Sequence, residues 1–394
     1  MQNQGVEYNS LGVKSKSCSL TGQTTRFELL SSLPVGFSLA QCVVHDEELL
    51  ICGGYRTNQC YSYHLHRKRY KYICCYPKEI ELIGHCVVKR VDINNSRAIT
   101  LLSFGGLHKH TLVMRYKSVW NGEEEKDASA CDKTKAWNKW VCLTENNNDP
   151  ILIGSSRDNY SGARAVIGGS NNHLLFITHY PKDIAVFDLN TFQCINHQSL
   201  PICDDCWIWY HCFVANTKNE LSAMDKHGNS NVMEMTLFCR NTGLAITYDE
   251  LNNTFGFQKL YVCSTIRPFS FYAYVCINDV ILLFGGCGVD GVTYSNLVHK
   301  YVLSGHRWVK CEHKLPLSLS ECVGQLSDNN MSVHILGGHN GCESIAMHMR
   351  VDAKEWTKEE TAIEREWIAQ EEEKCEIEKM KAMEQSHILA TLQK

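Results

Sequence analysis

The chain has 394 residues, 44% hydrophobic and 21% charged, the balance of a globular protein with a substantial core rather than of a disordered chain. Its formal net charge of −4 is too small to draw it to nucleic acid or to an anionic membrane, so neither is an expected partner. The acidity sits at one end: residues 354–394 hold seven Lys/Arg against eleven Glu, and the preceding residues balance at 32 of each.

Residues 1–25 read as a flexible segment with no basic-then-apolar pattern of a secretion signal. The longest strongly apolar stretch, Tyr274–Phe284, is too short to span a bilayer. Without a signal, the 21 cysteines are expected as thiols of a cytoplasmic protein, many of them acting as small buried hydrophobes.

Six units then follow, at approximately 34–76, 77–149, 150–200, 201–265, 266–315 and 316–357. Each carries an apolar run, usually closed by Gly-Gly, then an aromatic and a second aromatic further on. The first unit has Gly53-Gly54, Tyr63 and Tyr70. The second has Gly105-Gly106 and Tyr116, with Trp140 displaced by the polar insertion 117–135. In the third, Gly168-Gly169 precede the apolar run instead of closing it, and Phe187 is followed seven residues later by Cys194. The fourth has no glycine pair but keeps Tyr248 and Phe255, after a second insertion at 217–231. The fifth is the fullest copy, with Gly285-Gly286, Tyr301 and Trp308; the sixth has Gly337-Gly338, Met349 and Trp356. Six of the seven prolines fall at or near unit boundaries, where a missing ladder donor does no harm; Pro181 lies inside a unit.

Within a unit, short apolar runs alternate with turn signals such as His45–Glu48 and Asn278-Asp279, which predicts about four antiparallel strands. A four-stranded unit repeated near every fifty residues predicts a β-propeller. The glycine pairs are expected where backbones approach closely, and the aromatics between neighbouring sheets. The segment 26–33 could complete the sixth unit and close the ring, and Trp356-Thr357-Lys358 competes for the same place. From residue 358 to 394 the composition becomes that of a charged helix with a ragged apolar stripe.

This grammar of apolar run, double glycine, tyrosine and tryptophan resembles the kelch repeat, over roughly Phe27 to Trp356. The expected fold is therefore all-β: a six-bladed kelch-type propeller over 26–357, followed by a charged C-terminal helix.

Candidate chemistry is sparse. Cys203-Asp-Asp-Cys206, with His211 and Cys212 nearby, has the spacing of half a zinc site; lacking a second separated pair, these are expected as structural cysteines, and no metal or cofactor is expected. No phosphate-binding glycine loop, nucleophile elbow or HExxH is present. The basic run His64–Arg69 reads as a solvated turn. Resemblance to kelch proteins extends to copper enzymes of the galactose oxidase type, but no local motif fixes their tyrosine, cysteine and two histidines on the axis here.

The sequence thus points to a non-catalytic module that binds protein partners through loops on a rigid scaffold. The candidate partner-binding residues follow the glycine pairs: Arg56 and Asn58, His108, Lys109 and His110, Asp290, and His339 with Asn340. A propeller enzyme and a degenerate structural repeat remain the alternatives. Kelch substrate receptors carry BTB or F-box domains, and the stretch before Phe27 is too short for either.

Overall fold

A computed structural model describes residues 27–91, 99–120, 137–145, 147–155, 157–216 and 231–392. The segment 1–25, most of both polar insertions and the last two residues lie outside the described residues. Six four-stranded antiparallel sheets are arranged as six blades. Their innermost strands are Gln41–His45, His85–Val91, Asn159–Gly168, Cys212–Ala215, Ala273–Ile277 and Val323–Leu326. Each of these lies beside the innermost strands of its two neighbours, so the six surround one axis. The predicted hairpin turns are present: His45 pairs with Glu48 and Ile277 with Val280. Asp46 and Asn278 take the positive φ (50° and 51°) that Asx residues tolerate better than most.

Six clusters of buried apolar side chains fill the spaces between successive blades, one per seam. The aromatic step has a simple geometric cause. Tyr63 pairs directly opposite Tyr70, Tyr248 opposite Phe255 and Tyr301 opposite Trp308, so a seven-residue spacing sets two rings side by side across the hairpin of third and fourth strands. Their ring centroids lie 4.7, 4.9 and 5.0 Å apart. Trp140 keeps its role despite the insertion, stacking on Tyr76 at 4.6 Å and donating Nε1–H to Cys60 Sγ at 3.4 Å.

The glycine pairs serve two contacts each. A side chain on the first glycine would strike the next blade: Gly285 faces the Leu319 carbonyl and Gly337 the Phe37 carbonyl. A side chain on the second would strike its own blade's leading loop, as at Gly286 against Ser270 and Gly338 against Ser320. Gly285 and Gly337 also sit at φ +67° and +62°, where only glycine is unstrained.

Ring closure falls to the N-terminal segment. Glu28–Leu29 pairs with the third strand of blade 6, Glu28 opposite Arg350 and Leu29 opposite Met349. Continuing that register puts buried Phe27 opposite Val351, the place Trp308 holds opposite Tyr301 in blade 5, and its ring meets Phe284 edge-on at 6.5 Å. Trp356 lies in a 3-10 turn, Ala353–Trp356, wedged against Phe27 and Phe284 in the seam between blades 5 and 6.

The terminal helix, α1 (Ala362–Leu392), begins with a capping box. Thr361 Oγ1 accepts the Glu364 N–H at 3.2 Å, and Glu364 accepts the Thr361 N–H at 3.1 Å. Its first turns lie on blade 5, with Trp367 and Ile368 buried in the seam between blades 4 and 5. Glu371 is 3% exposed and accepts from Tyr261 Oη, Ser264 N and Ser264 Oγ at 2.9, 2.5 and 2.8 Å. Arg267 clamps Glu378 with two bonds of 2.8 and 2.7 Å. Beyond it Met380 and Met383 are exposed. No described helix is long and apolar enough to cross a membrane.

Candidate functional site

The start of each innermost strand pairs with the end of the second strand, as in Gln41 with Cys52 and Val323 with Leu336. Loops between second and third strands therefore emerge at the same end of the ring as the segments that lead into each blade. Arg56 and Asn58 of blade 1, His108 and Lys109 of blade 2, Asp290 of blade 5, and His339 and Asn340 of blade 6 share this face, along an unbroken arc of four blades.

Their individual roles differ. Arg56 is exposed and lies over the Tyr55 ring, 5.1 Å from its centroid. Asn58 is half-buried and donates Nδ2–H to the Tyr76 carbonyl at 3.4 Å, holding the chain that leaves the blade. His108 is exposed beside Glu81 at 3.1 Å, and Lys109 donates to the Ser155 carbonyl at 3.1 Å. Asp290 shapes its own loop by accepting from Val292 N and Thr293 N at 3.1 and 2.9 Å. Asn340 does the same for Cys342 N and Glu343 N at 2.9 and 3.0 Å. His339 joins blades 5 and 6 by its ring contact with Tyr294 at 6.0 Å. His110 departs from expectation. It is a buried strand residue, bonded through Nε2 to Ser103 Oγ at 2.8 Å, and burial lowers its pKa to about 4. A neutral buried imidazole of this kind is scaffold.

The sequence reading missed the axis. Where the chain turns into the innermost strand, every blade has one residue in the left-handed region: Leu39, Gly84, Gly162, Tyr210, Phe271 and Glu321, with φ between 46° and 70°. Four junctions of this belt are closed by backbone bonds: Gly162 N to Gly84 O, Tyr210 N to Gly162 O, Glu321 N to Phe271 O and Leu39 N to Glu321 O, at 2.8, 2.9, 2.8 and 3.0 Å. The belt rims an axial mouth lined by Gln41, Arg164, Tyr210, Phe271 and Glu321. Tyr210 and Phe271 stack at 4.2 Å, and the Arg164 guanidinium lies over Tyr210 at 5.8 Å. Burial raises the Glu321 carboxyl above its usual range, with a bond from Ser38 opposing the shift. The mouth thus offers a cation, a carboxyl group and an aromatic pair within one rim. What repeats there is a backbone conformation and not a residue type, so no motif announces it.

Exposed apolar side chains also collect on this face: Leu107, Leu152, Tyr180, Trp207, Val289 and Val292. Five of them lie in second-to-third-strand loops or in segments leading into blades, and Tyr180 ends the second strand of blade 3 at the same face.

The Cys203, Cys206, His211 and Cys212 set does not converge. Cys203 and Cys206 are joined as a disulfide, against the expectation of thiols throughout, whereas the other described cysteines are free. His211 is fully buried and bonds through Nε2 to Thr178 Oγ1 at 2.6 Å. Cys212 packs in the apolar seam between blades 4 and 5, where burial raises its pKa well above the usual thiol value. Among the described residues, the group close enough to hold an ion is a different one: Asp158, His179 and His197.

No family model matches the chain, and no curated protein matches it, so the kelch resemblance rests on the repeat residues alone. Among solved structures, the structure of YjhT is similar with a TM-score of 0.54 and 14% identity, over 81% of this chain and 95% of that one. A likeness at this identity carries the architecture only. The chain is similar in fold to YjhT, and that fold is a six-bladed β-propeller.

Proposed function

We propose that the chain is a non-catalytic, kelch-type protein-binding module that receives a protein partner on the face bearing the axial mouth. The observation that carries this reading is the gathering of exposed Leu107, Leu152, Tyr180, Trp207, Val289 and Val292 on one face, since apolar side chains grouped on a surface mark interaction sites. The mouth supplies the polar complement, with Arg164 and Glu321 set among aromatics, the residue mixture that anchors interfaces. A cytoplasmic setting and the absence of nucleic-acid or membrane partners belong to the same proposal. The helix α1 lies on blade 5, away from the mouth, which frees its exposed end to act as a coupling element.

Affinity capture with the full chain tests the reading. A triple variant of the loop face, Leu107→Asp, Trp207→Ala and Val292→Asp, is compared with Leu251→Asp, an exposed control in a loop between third and fourth strands on the opposite face. Partners that bind the parent chain and the control but not the triple variant support the proposal. Partners retained by the triple variant, or none bound by the parent chain, overturn it.

A further inference from the structure

We propose that Asp158, His179 and His197 of blade 3 form a binding site for a divalent transition-metal ion, zinc being the ion best suited to the donors. The ligand atoms of the three lie within 4.8 Å of one another. Two imidazoles and one carboxylate, with solvent free to supply a further position, make a donor set that zinc accepts.

His179 gives the strongest indication. Its Nδ1 lies 2.9 Å from the Tyr180 carbonyl, which can only accept, so Nδ1 carries the proton and Nε2 presents a lone pair. The residue is 1% exposed, and Nε2 has no hydrogen-bond partner among the described residues. A buried acceptor left unmatched is costly. Donation from one ring nitrogen to a backbone carbonyl is also how proteins orient a metal-bound histidine.

The surroundings agree. The Tyr160 ring lies 4.5 Å from the His179 ring, and its buried hydroxyl likewise has no partner among the described residues. Asp158 Oδ2 accepts from Ser155 N at 2.6 Å, which steadies the carboxylate on its loop. The His197 ring lies 5.9 Å from that of His179 and is exposed. Closing the donors around an ion bound at about 2.0–2.1 Å requires movement on the order of 1 Å, which an exposed ring can supply by rotation. The position is also distinctive in the repeat. By strand register, His179 stands where blades 1, 2, 5 and 6 have the first glycine of the pair. Blade 3 places a ligating side chain where those blades keep none, and an ion there would tie the incoming loop to the second and fourth strands.

The test is zinc titration of the full chain after chelator treatment, read by calorimetry and by a chromophoric competitor, with cobalt absorption reporting the coordination. The parent chain is expected to bind one equivalent. His197→Ala, an exposed change that spares the core, is expected to weaken binding at least tenfold, as is Asp158→Asn. A Cys203→Ser, Cys206→Ser double variant is expected to bind like the parent. No saturable binding, or binding unchanged in His197→Ala, overturns the proposal; so does binding lost in the cysteine variant. Partner capture is a separate readout, so failure of this site leaves the binding-face proposal to its own test.

Discussion

The hydroxyl of Tyr116, on the third strand of blade 2, donates to Oε2 of Glu48, which opens the second strand of blade 1. Ser62 Oγ donates to the same oxygen at 2.5 Å, and Trp120 Nε1 donates to Ser62 at 2.8 Å. Both Tyr116 and Glu48 are buried, so the carboxylate depends on these donors in place of water. Tyr116→Phe removes one of them while preserving the packing. It is expected to destabilise the chain by about 1–3 kcal/mol, the cost of under-satisfying a buried charged group. A urea titration should show a lower midpoint at unchanged slope, and an unmoved midpoint would show that the pair adds nothing.

Buried histidines should make the fold acid-labile. Burial holds His110 and His334 at about 4, His85 and His299 at about 3, and His348 at about 2. His334 and His348 also bond each other at 2.8 Å, and Tyr70 Oη bonds His348 at 2.6 Å. In the unfolded chain each ring binds a proton near pH 6.5. Between 6.5 and the folded values the unfolded state holds more protons, so stability is full above pH 6.5 and falls as the pH drops. Each ring contributes a slope of up to about 1.4 kcal/mol per pH unit. Thermal midpoints should fall steeply from pH 7 to pH 5, ahead of carboxylate titration. His348→Gln should lower stability at pH 7.5 yet flatten the slope. A flat profile between pH 7 and 5 would contradict the assignment of neutral buried rings.

The repeat was legible because its residues answer packing demands that recur at each seam. Gly337 is glycine because Phe37 of the next blade approaches it, and Tyr301 and Trp308 are aromatic because they face each other across a hairpin. Features that do not recur as residue types were hidden. The belt of Leu39, Gly84, Gly162, Tyr210, Phe271 and Glu321 shares only φ, so no one residue type recurs to mark it. His110 sits one position past a loop, at the first residue of its strand, where a shift of one residue exchanges outside for inside. Glu28–Leu29 is too short to show any period. The two-histidine group was invisible because Asp158, His179 and His197 are brought together only by the pairing of strands.

Docking of α1 rests on a patch rather than a stripe, which is why its periodicity said little. Glu371 is the centre, with three donors from Tyr261 and Ser264, flanked by buried Trp367 and Ile368. Glu371→Ala removes the acceptor for all three, and the expected loss is about 1–3 kcal/mol of docking energy. Limited proteolysis should then release the helix at enzyme concentrations that leave the parent intact, with the propeller surviving. Because Glu378 is half-exposed in its pair with Arg267, Glu378→Ala should change protease sensitivity far less, as surface ion pairs do. Equal sensitivity of the two variants would place the anchor elsewhere.

Closure by the N-terminal segment predicts the strongest effect on the fold. Leu30 N and Leu33 N donate to the His348 and Ala346 carbonyls at 2.9 Å each, and Glu28 pairs with Arg350 at 2.5 Å. Phe27 and Leu33 are buried in the seams on either side of blade 6, and burial of each contributes about 1.5–3 kcal/mol. A chain beginning at residue 34 loses these contacts and exposes the strand His348–Asp352 as an unpaired edge, a template for pairing with other chains. It should melt several degrees lower and associate with rising concentration. Its Trp356 should become accessible to quenchers, because Phe27 no longer covers it. Trp356→Phe in the 394-residue chain shrinks that side chain while leaving the closing strand in place, so its melting should fall less than that of the truncated chain, with no added association at concentrations where the truncated chain associates. If the truncated chain is as stable as the parent and associates no more than it does, closure does not depend on Glu28–Leu29, and the seam between blades 5 and 6 must hold the ring without it.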